Sequence, residues 1–79
     1  MEIYGRFDSN YTGSKPTIEL MNAPGVTTLP NDIMTGAANQ WEAISVTFTP
    51  TTEGVARVRV ASQDTSTGGE AFFDDLTVT

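Results

Sequence analysis

The chain has 79 residues, enough for one domain, and its 38% of apolar residues can supply only a small hydrophobic core. It contains no cysteine and no histidine, which excludes disulfides, thiolate metal sites and the general base used most often in catalysis. The net charge of −6 opposes attraction to nucleic acid and to anionic lipid, and no apolar run approaches the length of a membrane span. We therefore expect neither a nucleic-acid partner nor membrane insertion.

Apolar and polar residues alternate along most of the chain, which is the periodicity of half-buried strands. Turn-forming segments rich in Gly, Asn, Ser and Thr separate these runs. The pattern predicts an all-β fold, a small antiparallel β-sandwich, with strands near residues 2–8, 16–22, 41–49, 54–62 and 71–79. The connection from Asn22 to Gln40 is long for so small a domain. It is predicted to contain a short sixth strand at Val26–Leu29.

The alternation also predicts which side chains fill the interior. Ile3, Gly5 and Phe7 share one face of the first predicted strand, and Ile18 and Leu20 share one face of the second. The later strands are predicted to contribute a shared core of Trp41, Ile44, Val46, Phe48, Val58, Val60, Leu76 and Val78.

The last predicted strand carries two neighbouring carboxylates, Asp74 and Asp75. Adjacent residues of a regular strand point to opposite faces, so these carboxylates are not expected to converge on one substrate as a glycosidase pair would. Asp74 shares its phase with Leu76 and is predicted to point inward, where it needs a partner. Asp75 is predicted to point outward and to pair across strands with Arg57 or Arg59. We expect the protein not to be an enzyme.

The segment DSNYTGSKPTIE, Asp8 to Glu19, is one residue short of a calcium-binding loop pattern. Its oxygen-bearing residues at ligand positions are Asp8, Asn10, Thr12 and Glu19. The alternative is a hairpin loop in which Asp, Asn and Gly serve the turn geometry. Lys15 and Pro16 in the second half, together with strand-like flanks, favour the hairpin. Calcium is the single cofactor that the sequence suggests.

The segment WEAISVTFTPTTEGVARVRVASQDTSTGGEAFFDDLTV, Trp41 to Val78, has a Trp entering a strand, a TFTP motif, alternating valines and a closing Phe-Asp-Asp-Leu. About half of the chain thus resembles the C-terminal half of carbohydrate-binding-module-type jelly rolls, the galactose-binding-like β-sandwiches. The resemblance implies a partial jelly roll. It also implies that Trp41 packs structurally, and that Asp74 belongs to the closing motif whose Asp often ligates a structural calcium.

The chain departs from this family at its start. Such modules usually begin with an Asn-Gly-Phe-Glu-like segment whose strand pairs with the last strand, whereas this chain opens at what resembles a middle strand. The resemblance therefore implies either a reduced sandwich or one completed by another chain, and the hazard of an open strand edge favours the second. Phe72 and Phe73 are expected at that contact.

Sugar-binding sandwiches present aromatic faces beside polar side chains, and the residues here that could do so are Tyr4, Arg6, Tyr11 and Trp41. Packing in the core or at an interface is nevertheless the favoured role of the three aromatic residues. The leading hypothesis is a non-enzymatic structural or adhesive module of a multimeric assembly, such as a virion decoration, tail, appendage or cell-surface protein. It would self-associate or dock on a larger host protein, in a virion or outside the cell. The alternative is a carbohydrate-binding module that recognises glycans, and a third hypothesis is a calcium-dependent switch built on the Asp8–Glu19 loop.

Overall fold

A computed structural model describes residues 1–64 and 69–78 and confirms the all-β class, with two three-stranded antiparallel sheets. The strands are β1 (Glu2–Phe7), β2 (Gly13–Asn22), β3 (Asn31–Ile33), β4 (Glu42–Ser45), β5 (Arg57–Asp64) and β6 (Ala71–Thr77). The first sheet has the order β4-β1-β6, and the second has the order β3-β2-β5. Within the described residues, no helix is long and apolar enough to cross a membrane.

The five strands expected from the alternating pattern are all present, with β4 shorter than its predicted range of 41–49. The long connection does contain a sixth strand, but it is β3 at Asn31–Ile33 and not the segment Val26–Leu29. The reason is a turn: the amide of Val26 donates to the carbonyl of Ala23 at 3.1 Å, and Gly25 has a φ of 75°. Glycine adopts this left-handed conformation without steric cost, so the chain reverses here before it can pair.

The core lies between the two sheets. Its buried apolar residues are Ile3, Phe7, Tyr11, Ile18, Leu20, Ala23, Met34, Ile44 and Val46. Gly5 makes room for one of them, because a Cβ atom added to Gly5 would lie 2.9 Å from the Sδ atom of Met34. The inward phase of β1 and β2 is therefore the one that the sequence predicts, and it places Tyr4 and Arg6 on the outer face of the first sheet.

The core predicted from the later strands is only partly correct. Ile44 and Val46 are buried, while Phe48, Val58 and Val60 are half-buried and pack against the core. The prediction is wrong for three residues that are exposed, namely Trp41 (47%), Leu76 (58%) and Val78 (70%). Trp41 is out of phase with Ile44 across β4.

The last strand has its partner within this chain. β6 pairs with β1 in an antiparallel ladder from Glu2–Thr77 to Phe7–Ala71, so the expectation of an absent partner strand for β6 is wrong. β1 is the middle strand of its sheet, and β6 lies at one edge. Phe73 packs against the core and is half-buried, and its place at an intermolecular contact stays a prediction. Phe72 is 42% exposed and points away from the core.

Candidate ligand-binding face

The outer face of the first sheet is unusually aromatic. In the strand register, Arg6 lies opposite Phe72, and Tyr4 lies between Ala43 and Asp74. The outer face of a sandwich normally carries polar residues, because it contacts water. Here three aromatic side chains are 40–47% exposed. We call this surface the aromatic face and define it by Tyr4, Arg6, Trp41 and Phe72.

A shallow depression of about 210 Å³ lies on this face and is lined by Tyr4, Trp41, Asp74 and Asp75. Pockets for drug-sized ligands are typically about 300–1,000 Å³. The depression therefore has the size for one ring or one polar head group of a larger ligand. Two aromatic residues and two carboxylates give it both apolar faces and hydrogen-bond acceptors.

Both carboxylates reach the depression because β6 is bulged. Between the pairs Glu2–Thr77 and Tyr4–Asp74, β6 contains one residue more than β1, and Asp75 has a φ of 56°. The amide of Asp75 donates to Oδ1 of Asp74 at 2.9 Å, which is a local hydrogen bond that favours this turn of the backbone. An extra residue interrupts the strict alternation of side chains, and both neighbours line the one depression.

The structure overturns three expectations. Asp74 and Asp75 do not point to opposite faces, since both line one depression. Asp74 is exposed on the outer face and does not point inward. Asp75 does not pair with Arg57 or Arg59, which lie on β5 of the other sheet. Arg59 instead donates to Oε2 of Glu19 on β2 at 2.6 Å.

Trp41 immediately precedes β4, and hydrogen bonds from the preceding connection hold the start of this strand. The carboxylate of Glu42 accepts the amides of Thr35 at 3.1 Å and Gly36 at 2.7 Å. These two backbone donors hold the pKa of Glu42 below its ordinary value. Further along β4, the amide of Ser45 donates to Oδ2 of Asp32 at 3.0 Å. Glu42 thus holds the end of β4 beside Trp41, and Asp32 holds its other end.

Arg6 is the cation of the aromatic face. Its Nε atom is shielded from solvent and has no hydrogen-bond partner within the part of the chain that the structure describes. The other three basic residues are Lys15 on β2 and Arg57 and Arg59 on β5, all in the second sheet. Arg6 lies two residues beyond Tyr4 on β1 and does not line the depression.

Tyr11, the fourth predicted ligand-binding residue, belongs to the core. Only 8% of it is exposed, and its ring centroid lies 5.6 Å from that of Phe7. Its hydroxyl donates to the carbonyl of Ser14 and accepts the amide of Gln63 at 2.8 Å. The hydroxyl group of Tyr11 therefore connects the loop after β1 to β5 by a hydrogen bond. The predicted role in ligand binding is wrong because the residue is enclosed, whereas Tyr4, Arg6 and Trp41 do lie on one face.

The predicted calcium ligands are separated in the fold. Asp8 accepts the amides of Asn10 at 3.1 Å and Glu70 at 3.0 Å, so its carboxylate shapes the turn and joins it to the start of β6. Glu19 is paired with Arg59 in the second sheet, and Asp74 lies on the outer face of the first. Asn10 and Thr12 are exposed in the loop. Among residues 1–64 and 69–78, no group of three or more acidic side chains could hold a metal ion.

Sequence reasoning missed the convergence of the two carboxylates and the place of Phe72 on the same face as Tyr4. The signal for the first was the Asp-Asp pair itself, since Asp enters the left-handed region more readily than most residues and its side chain can bond the next amide.

Comparison with known proteins adds no guide to the ligand: no family model, curated protein or solved structure matches the chain.

Proposed function

We propose that this protein is a non-enzymatic binding module that recognises glycans through its aromatic face. The observation that carries the proposal is the exposure of Tyr4 and Trp41 in the lining of a depression that also contains two carboxylates. The apolar face of a sugar ring packs on an aromatic side chain, and its hydroxyl groups donate to carboxylate oxygens. The sequence favours an assembly module, with glycan binding as the alternative. We now propose glycan binding first and assembly second.

The carboxylates serve binding in this proposal and do not form a catalytic pair. In a glycosidase, two carboxyl groups flank the scissile bond from different sides. Asp74 and Asp75 are consecutive residues of one strand, so both approach a ligand from the same wall of the depression.

The proposal is tested by retention of the protein on a panel of immobilised polysaccharides, including cellulose, xylan, chitin and chitosan. We expect retention on at least one of them, and loss of retention in Trp41→Ala and Tyr4→Ala. The control is Met21→Ala, because Met21 is 43% exposed but lies on β2 in the second sheet. Absence of retention on every polysaccharide, or equal retention of Trp41→Ala and the unchanged protein, would contradict the proposal.

A second candidate function is self-assembly through the apolar end of the sandwich. A cleft of about 330 Å³ at this end is lined by Met1, Thr47, Phe48, Ala56 and Val78. Among the residues that the structure describes, no acidic side chain lines it, so the net charge of −6 is not concentrated at this surface.

The occupant that we propose for this cleft is a second copy of the chain, in an assembly on a virion or outside the cell. Sedimentation velocity at micromolar concentration should then show a dimer or larger species. Val78→Ser should shift the protein toward the monomer, while Trp41→Ala should leave the distribution unchanged because Trp41 lies on the aromatic face. A monomer at all concentrations would refute this candidate and leave the glycan proposal intact.

A further inference from the structure

We infer that the depression on the aromatic face selects a protonated amine, carried on an amino sugar, over neutral and acidic sugars. The inference rests on the proposed glycan binding and names the chemical class of the ligand. Its basis is the combination of Tyr4 and Trp41 with Asp74 and Asp75 around one depression. Neither the aromatic pair nor the carboxylate pair would suffice alone.

The aromatic residues favour a cation because the face of each ring carries partial negative charge. An ammonium group within about 6 Å of a Trp or Tyr ring is attracted to that face. Trp41 and Tyr4 are 47% and 40% exposed, so their side chains are accessible to a ligand. A sugar ring can pack on one aromatic side chain while its amine points to the carboxylates.

The carboxylates favour a cation because they are neighbours. Ionised Asp side chains only accept hydrogen bonds, and two like charges close together are mutually unfavourable. One oxygen of Asp74 accepts the amide of Asp75, but that donor is neutral. A protonated amine supplies three donors and a positive charge, whereas a sugar hydroxyl supplies one donor and no charge. A sugar that carries a protonated amine beside the two carboxylates therefore binds more tightly than one that carries a hydroxyl group there.

The wider distribution of charge points the same way. Ten acidic residues against four basic residues give a net charge of −6, which attracts cationic ligands. Arg6 on the same face opposes a cation, but it contributes one charge and does not line the depression, while two carboxylates do. If Arg6 dominated instead, a sugar carrying a carboxylate would bind best, so an acidic sugar is the informative competitor.

The experiment is isothermal titration calorimetry with β-1,4-linked tetrasaccharides of glucosamine, N-acetylglucosamine and glucose, together with an α-1,4-linked galacturonic acid tetrasaccharide. The first three share a backbone and differ at one substituent, so they isolate the amine. We expect the glucosamine tetrasaccharide to bind at least about tenfold more tightly than the glucose compound, as for a gained charge-assisted hydrogen bond. Its affinity should fall as salt is raised.

Asp74→Asn and Asp75→Asn are the matching variants. Asn retains the side-chain carbonyl that accepts the amide of residue 75, and it enters the left-handed conformation about as readily as Asp. Each variant should reduce the preference for the amine by several-fold, while Glu53→Gln, which removes one exposed charge elsewhere, should not. Thermal melts establish that the variants fold.

The outcomes separate the inference from the function on which it rests. Binding of none of the four tetrasaccharides, together with no retention on the polysaccharide panel, contradicts glycan binding itself, whereas retention on the panel without binding of the glucosamine tetrasaccharide contradicts the inference alone. Tight binding of the neutral sugars without a preference for the amine, or a preference that survives both Asn variants, contradicts the inference alone. Preferential binding of galacturonic acid also contradicts it and assigns the main role to Arg6.

Discussion

The bulge at Asp75 is what brings two neighbouring carboxylates to one surface, and substitutions at this position test it. The φ of 56° lies in the left-handed region, which costs most residues roughly 1–2 kcal/mol. A β-branched residue is the least compatible with it. We expect Asp75→Val to lower the free energy of unfolding by about 1–2 kcal/mol or more. Asp75→Gly should change it by less than about 1 kcal/mol, because relief of backbone strain offsets the greater entropy of the unfolded chain.

The assay is urea unfolding followed by circular dichroism, with thermal melts beside it. For a domain of this size, 1 kcal/mol corresponds to a shift of about 4–8 °C in Tm, so the two variants are readily distinguished. Thr77→Val is the control, because Thr77 lies on the same strand, is exposed and has no positive φ. If Asp75→Val proves as stable as Asp75→Gly, the strand is regular at this point. The carboxylates would then lie on opposite faces, and the reasoning behind the depression would fail.

Three further predictions concern the core, the edge beside Trp41 and the metal question. Ile18 is fully buried, and Ile18→Ala should cost about 2–5 kcal/mol in urea unfolding, whereas an unchanged midpoint would contradict the phase of β2. Because the folded pKa of Glu42 is lowered, its contribution to stability is present above the unfolded pKa and is lost as pH falls through the folded value. Glu42→Gln should therefore flatten the acid limb of the stability–pH curve, and an identical limb would show that the hydrogen bonds to Thr35 and Gly36 do not stabilise the fold. Excess EDTA should leave Tm unchanged, and a drop that calcium reverses would restore the predicted site at Asp8.

The sequence predicts the strands well because their residues alternate cleanly. Ile3, Gly5 and Phe7 are inward in the fold as in the pattern, and so are Ile18 and Leu20. Period-2 patterning is set by burial of one face, which is a local and strong signal. The pattern says nothing about which strands are neighbours. The pairing of β6 with β1, over a separation of about 70 residues, is a property of the packed chain.

The candidate site could be predicted only in part, and the reason is again physical. Tyr4 and Arg6 follow from the phase of β1, and Trp41 from the phase of β4 once Ile44 is taken as inward. The convergence of Asp74 and Asp75 was not predicted, because strict alternation assigns neighbouring residues to opposite faces and one extra residue in a strand interrupts that alternation. The pattern of apolar residues does not show where such an extra residue lies.

Trp41 is the single tryptophan of the chain, so its fluorescence reports on the aromatic face alone. The measurement is a titration of the unchanged protein with the glucosamine tetrasaccharide, recording the emission maximum and intensity of Trp41. Glycan binding on this face predicts a saturable change in emission, because the ligand displaces water from an indole that is 47% exposed. Binding detected by calorimetry with the emission of Trp41 unchanged would place the ligand elsewhere and contradict the assignment of this face.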